Sequence, residues 1–227
     1  MFEELRALLR GDAEQIADRL KTPDIRSFVG YCALILLGSA LYGSTFGIWR
    51  APLQSLYTAI KFPLLIFLTA AGNAVLNGML AQILGSGLTF KQTSLAILMS
   101  FAIAATILAG FSPITLFIWS NAPLGSTNQI LGHSTMLLSH VCAIAFASVM
   151  ANQRLFDLLR KISGSKATAS TVLFAWLSGN LFLGAQLAWN LRPFIGAPML
   201  QVQFLRDDPL RGNFYEAVWR AFQHLFL

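Results

Sequence analysis

The chain has 227 residues, 56% of them hydrophobic and only 11% charged, with a net charge of +6 at neutral pH; a typical soluble domain is about 25% charged. All ten acidic residues lie outside residues 25–156, and a water-soluble fold could not solvate a surface of that size without them. The composition excludes a soluble globular domain and points to an all-α, polytopic membrane bundle, with the lipid bilayer as its first partner and no nucleic acid among its partners.

Residues 2–21 read as an amphipathic helix. Phe2, Leu5, Leu8, Leu9, Ile16 and Leu20 recur at three- and four-residue spacing with charges between them, and Gly11-Asp12 divides the helix in two. Its mixed charge differs from the strongly basic face of a lipid-binding helix, so it is expected to pack on the cytoplasmic ends of the spans. A surface-lying or partner-binding helix is the alternative. Residues 1–26 form this cytoplasmic segment.

A helix needs about 20 apolar residues to cross the hydrocarbon core, and five stretches within residues 27–191 qualify: 28–48, 62–84, 93–118, 130–150 and 169–191. The runs are continuous rather than alternating, which excludes a barrel. The first is read as a span and not a cleaved leader, because 27 residues of mixed charge precede it. Lys61-Phe62-Pro63 is expected to mark the interface, with an interfacial piece over residues 52–61 and a snorkelling lysine. The third span is expected to kink or fray at Phe111-Ser112-Pro113.

With five spans and a cytoplasmic N-terminus, ten Lys and Arg fall inside and six outside, the arrangement that the positive-inside rule favours. The basic loop over residues 153–166 contrasts with an uncharged loop over residues 120–129. Cys32 and Cys142 lie within spans at no metal or redox spacing and are read as small hydrophobes. The chain has no N-x-S/T sequon, which suits a bacterial membrane.

Ionisable residues deep in a span mark function by default, and none of the carboxylates or arginines lies there. What remains is amides and histidines. Asn73 and Asn77 are one turn apart in the second span; Gln186 and Asn190 are one turn apart in the fifth, with Asn180 above them. These amides are read as interhelical glue, worth around 0.6 kcal/mol per contact, the other reading being a polar pathway. His133 and His140, seven apart, share a face of the fourth span, and two histidines fall short of the three or so ligands of a catalytic metal site. A structural role is expected for them, or a pH-sensing one. Gly43-x-x-x-Gly47 is a close-packing signal. Hydrolase, zinc-protease and nucleotide-binding motifs do not occur.

The fifth span ends at Arg192-Pro193, and residues 192–227 read as a surface-lying tail. Proline removes an N–H and biases Arg192 out of the helical region. The Arg192 guanidinium is therefore expected to be held by carbonyls of the helix end or by Asp207 or Asp208, the alternative being a snorkelling anchor. Asn213 and Glu216 suit the N-cap and N3 positions of a terminal amphipathic helix over residues 213–227, too short to span, with Trp219 and Tyr215 at headgroup level.

The stretches GAQLAWNLRPFIGAP, FLRDD and GNFYEAVWRAF, with APLQSLYTAIKFPLLIFLT and FSPITLF earlier, resemble a group of bacterial inner-membrane proteins. The likeness covers most of the chain, and LRPFIG at residues 191–196 is its most specific part. Five spans behind a cytoplasmic N-terminal segment are also similar to the Yip1-type arrangement. The first resemblance implies a multi-pass protein of the bacterial inner membrane, the second rests on span number and apolar character, and neither supplies a catalytic residue.

Two functions stand against each other at this point. The first is a non-enzymatic scaffold, accessory subunit or assembly factor, working with protein partners in a membrane complex or as a homo-oligomer. The second is a transporter or channel for a neutral or weakly charged solute, lined by the Asn and Gln residues. No catalytic, metal or cofactor-binding residue is assigned and no cofactor is expected.

Overall fold

The computed structural model of the chain describes residues 17–18, 20–84, 86–121, 129–196 and 201–216. Five helices dominate it: α1 (Ile25–Gly47), α2 (Pro52–Ile83), α3 (Phe90–Asn121), α4 (Gln129–Ser163) and α5 (Lys166–Asn190). No strand occurs among the described residues. All five helices are long and apolar enough to cross a membrane, so the chain is an all-α, multi-pass membrane bundle.

Local chemistry explains where the helices begin and end. Asp24 caps α1, its carboxylate accepting from the Arg26 N–H at 3.3 Å. Pro52 opens α2, in the first turn, where its missing N–H has no helical partner to lose. Ahead of α3, Thr89 and Gln92 form a reciprocal capping box: the Thr89 N–H donates to Gln92 Oε1 at 2.8 Å and the Gln92 N–H to Thr89 Oγ1 at 3.4 Å. Gly164, with φ at +64°, ends α4, and Ser165 at once caps α5 by accepting from the Thr168 N–H.

Three local expectations are corrected. The second span is one unbroken helix of 32 residues, with no separate interfacial piece over residues 52–61, and Lys61 is fully buried in it. Its acceptor lies in the tail, as described below, so it does not snorkel. α3 stays helical through Pro113 to Asn121, so it does not fray there. The basic stretch expected as a loop over residues 153–166 is helical to Ser163, because Leu155, Leu158 and Leu159 give it a buried face. At 35 residues, α4 is about 50 Å long and outruns a hydrocarbon core of about 30 Å.

α1 lies along α2 and α3; α4 packs on α3 and α5, and α5 packs on α2 and α4. α3 is the most buried of the five and α5 the least. Ala96, Ala102 and Ala105 on α3 are fully enclosed, and their small side chains let neighbours come close. A Cβ added to Gly38 would fall 2.7 Å from the Ala105 carbonyl oxygen. The Gly43 and Gly47 signal is used within the chain: a Cβ on Gly43 would meet the Thr58 carbonyl oxygen at 2.6 Å, and one on Gly47 would collide with the backbone of Gln54. Those glycines set the α1–α2 separation.

Leu37, Leu41, Leu68, Met79, Phe146 and Phe174 stand exposed around the bundle. Acyl chains, not water, suit such a belt. At the other end of α1, Ala17 and Leu20 join the core cluster, so this described end of the N-terminal helix is packed on the bundle; residues 1–16 and Arg19 lie outside the described set. Asp18 and Lys21 pair at 2.7 Å. That hydrogen bond and the Lys21 charge, with a smaller contribution from Lys161 of α4, hold the Asp18 carboxyl below its ordinary range.

Candidate functional site

The most elaborate polar construction lies where the tail returns over the ends of α1, α2, α4 and α5. Once α5 stops, the carbonyls of Pro193 and Phe194 have no helical donors. Gln54 and Lys61 meet them from two turns of one face of α2. The Gln54 amide donates to Pro193 O at 3.0 Å and to Phe194 O at 2.8 Å, while Lys61 Nζ donates to Pro193 O at 2.8 Å. Nζ also sits 5.0 Å from the Phe204 ring centre and 5.9 Å from that of Phe194, so two aromatic faces and a carbonyl stabilise a cation withdrawn from water. Gly196 adopts φ of +81°, and a Cβ there would press on Arg50 at 3.3 Å. Tyr57 meets Phe204 edge-on at 5.4 Å.

Beside this clamp, two arginines converge on one indole. The Arg192 guanidinium carbon lies 3.1 Å from the Trp189 ring centre and that of Arg206 lies 5.0 Å from it. Arg192 Nε donates to Trp189 O at 3.1 Å. The carbonyl half of the expectation for Arg192 therefore holds; Asp207 and Asp208 are exposed and form no ion pair with it among the described residues. Burial, and after it the neighbouring Arg206 charge, push the Arg192 guanidinium below its ordinary range. Arg206 donates through Nη2 to Arg211 O at 2.6 Å and Pro209 O at 3.3 Å, and its backbone N–H reaches Arg192 O.

The tail is pinned a second time. The Phe214 N–H donates to Gln186 Oε1 at 3.1 Å, and Gln186 Nε2 donates to Asn190 Oδ1 at 3.2 Å. Tyr215 donates to Phe182 O at 2.8 Å and stacks on the Phe182 ring. Asn213 caps the helix that begins here by accepting from the Glu216 N–H at 2.8 Å. Glu216 answers by accepting from the Asn213 side-chain amide at 2.7 Å, not from its backbone. Trp219 and the rest of the expected terminal helix lie outside the described residues.

Under the tail is a cavity of about 700 Å³. Phe46, Phe62, Leu65, Leu137, Ile144 and Ala188 form apolar walls from four helices; Arg192, the Pro193–Gly196 turn, Gln201, Gln203 and Arg206 form the other side.

The amides of the spans gather elsewhere. Asn73 donates to Asn180 Oδ1 at 3.0 Å, and Asn77 donates to Asn73 Oδ1 at 3.4 Å. Asn73 and Asn77 are almost fully buried and face helices, not lipid. Next to them a space of about 30 Å³ is bounded also by Ser100 and Asn152, room for about one water. His140 pairs through Nδ1 with the Tyr42 hydroxyl at 2.9 Å and lies flat on Phe46, ring centres 3.9 Å apart. The side chain of His133 is outside the described set.

The structure thus brings Asn73, Asn77 and Asn180 together, and Gln186 and Asn190 together with the tail. It adds Gln54, Tyr42 and Arg206, which the sequence reading did not single out, and gives Lys61, expected to snorkel, an acceptor in the tail. A lysine and a glutamine seven apart on an apolar helix are the available signal, and nothing local distinguishes them from an interfacial pair. No family model, curated protein or solved structure matches the chain.

Proposed function

We propose that this chain is a non-enzymatic protein of the bacterial inner membrane, with its N-terminus in the cytoplasm, serving as a scaffold, accessory subunit or assembly factor of a membrane complex. The likenesses to the LRPFIG-bearing group and to Yip1-type proteins belong to the same proposal. The observation that carries it is the fixed tail. Gln54 and Lys61 hold Pro193 and Phe194, and Gln186 and the Phe182 carbonyl hold Phe214 and Tyr215, against the bundle. That arrangement leaves Leu210, Phe214 and Tyr215 exposed on an ordered surface, the kind of preorganised patch a protein partner uses. The Asn73–Asn180 and Tyr42–His140 pairs join helices to one another, which supports structural work for the span residues.

A photo-crosslinker at position 210, activated in native membranes, tests this. One discrete adduct, to a second protein or a second copy, is the expected result, and it should fade when Gln54→Leu loosens the tail. Adducts to lipid alone would sink the proposal.

The second reading, passage of a neutral or weakly charged solute, draws on Asn77 Oδ1 and Trp176 Nε1. Both are buried beside the 30 Å³ space and have no hydrogen-bond partner among the described residues. Solute flux in liposomes that disappears in Asn77→Leu supports it.

A further inference from the structure

The 700 Å³ cavity and the two arginines at its edge make one site that neither functional reading uses. Its volume lies within the roughly 300–1,000 Å³ of ordinary small-molecule sites. Five of its walls are the side chains of Phe46, Phe62, Leu65, Leu137 and Ile144, with Ala188 leaving room on the α5 side. Such walls take hydrocarbon. At the tail side the chemistry inverts: the Arg192 and Arg206 side chains share Trp189, and among the described residues neither is paired with a carboxylate. Asp207 and Asp208, next to Arg206 in sequence, are exposed and leave both charges uncompensated. Two like charges on one indole repel, and an anion beside them relieves that repulsion.

We propose that this cavity binds one anionic phospholipid, its phosphate held by Arg192 and Arg206 and an acyl chain laid between Phe62, Leu137 and Ile144. Hydrocarbon walls alone would accept any lipid; the guanidiniums supply the selection. Arginine suits the task because its planar fork holds phosphate oxygens in pairs. The cation at Lys61 plays another part, since its Nζ is already committed to Pro193 O. Gln203, which lines the cavity, makes no hydrogen bond among the described residues, so its side chain is available to change the charge of the wall without disturbing the tail clamp. The site stands apart from the partner proposal, because it is tested on the purified chain alone.

The purified, delipidated full chain is offered dioleoyl phosphatidylglycerol, dioleoyl phosphatidylcholine, dioleoylglycerol or inorganic phosphate. Bound lipid is counted by native mass spectrometry and the thermal midpoint is followed in detergent. Phosphatidylglycerol should be retained roughly tenfold more strongly than phosphatidylcholine, a ratio within reach of a charge-assisted contact, and should alone raise the midpoint clearly. Gln203→Glu should erase that preference with the fold intact by circular dichroism. Ala188→Phe, which fills the apolar side, should reduce retention of every lipid. Equal retention of the two phospholipids overturns the proposal, as does a preference that survives Gln203→Glu. Stabilisation by inorganic phosphate equal to that by phosphatidylglycerol also overturns it, leaving a bare anion site with no role for the cavity.

Discussion

Lys61 donates its ammonium proton to the carbonyl of Pro193, 132 positions along the chain, at 2.8 Å. Gln54 serves the same oxygen and the next one, so one face of α2 fixes the point at which the fifth span becomes the tail. Replacing Gln54 by leucine removes the described side-chain donor to Phe194 O and should cost about 1–3 kcal/mol, with faster proteolysis after residue 193. Because both side chains serve Pro193 O, Lys61→Met added to Gln54→Leu should cost less than the sum of the two alone. Thermal unfolding of the single and double variants in detergent measures this coupling; additivity to within about 0.3–0.5 kcal/mol would show that the two donors act independently.

The asparagine chain makes an ordered forecast. Asn73 both donates to Asn180 and accepts from Asn77, so Asn73→Leu should destabilise more than Asn180→Leu. The pairwise coupling of Asn73 with Asn180 should fall near the ~0.6 kcal/mol average for membrane hydrogen bonds and below their ~1.7 kcal/mol maximum. A double-mutant cycle in mixed micelles gives the value, and zero coupling would remove these amides from the list of helix-joining contacts.

Two glycines should respond in opposite ways. Gly43 faces the Thr58 carbonyl and the Phe62 Cβ at 2.6 and 2.8 Å from an added methyl, whereas a Cβ on Gly110 meets nothing within 4 Å. Gly43→Ala should therefore cost about 1–3 kcal/mol by overpacking. Gly110→Ala should be neutral or stabilise by up to about 1 kcal/mol through helix propensity. Thermal midpoints of the two variants compare them directly, and equal effects would mean that α1 and α2 are not held at the observed separation.

Arg192→Lys keeps the charge and loses both the Nε bond to Trp189 O and the flat contact with the indole. The midpoint should fall, and Trp189 emission should shift, followed in a variant with the other tryptophans replaced by phenylalanine. Unchanged emission and stability would reduce Arg192 to an ordinary interfacial charge.

Five crossings place the α4–α5 link and the tail on opposite sides of the membrane. Single cysteines at positions 164 and 210, in a chain freed of Cys32 and Cys142, should be labelled by an impermeant reagent from opposite faces of sealed vesicles. Labelling of both from one face excludes a five-span arrangement.

The five apolar runs were legible because a bilayer demands length and apolar composition, which are local properties. Their ends were less so. α4 continues 13 residues past the expected boundary, since Leu155, Leu158 and Leu159 keep a helical stripe going among arginines and lysines. Asn213 and Glu216 were readable as a cap because three-residue spacing is enough to define one. Lys61 was misread for the opposite reason: its acceptor is a backbone carbonyl, a group every residue has, and no side-chain pattern reveals which one a fold will leave vacant. His140 was found, but Tyr42, its partner from another helix, carries no mark that sets it apart from other core aromatics.

The clamp also has a place in time. Ribosomes lay down chain at about 5–20 residues per second, so Lys61 and Gln54 are made many seconds before Pro193 and Phe194 exist. During that interval Gln54 and Lys61 lack the carbonyls they hold in the folded chain. Arrival of residue 193 supplies the carbonyl that both side chains hold in the finished bundle.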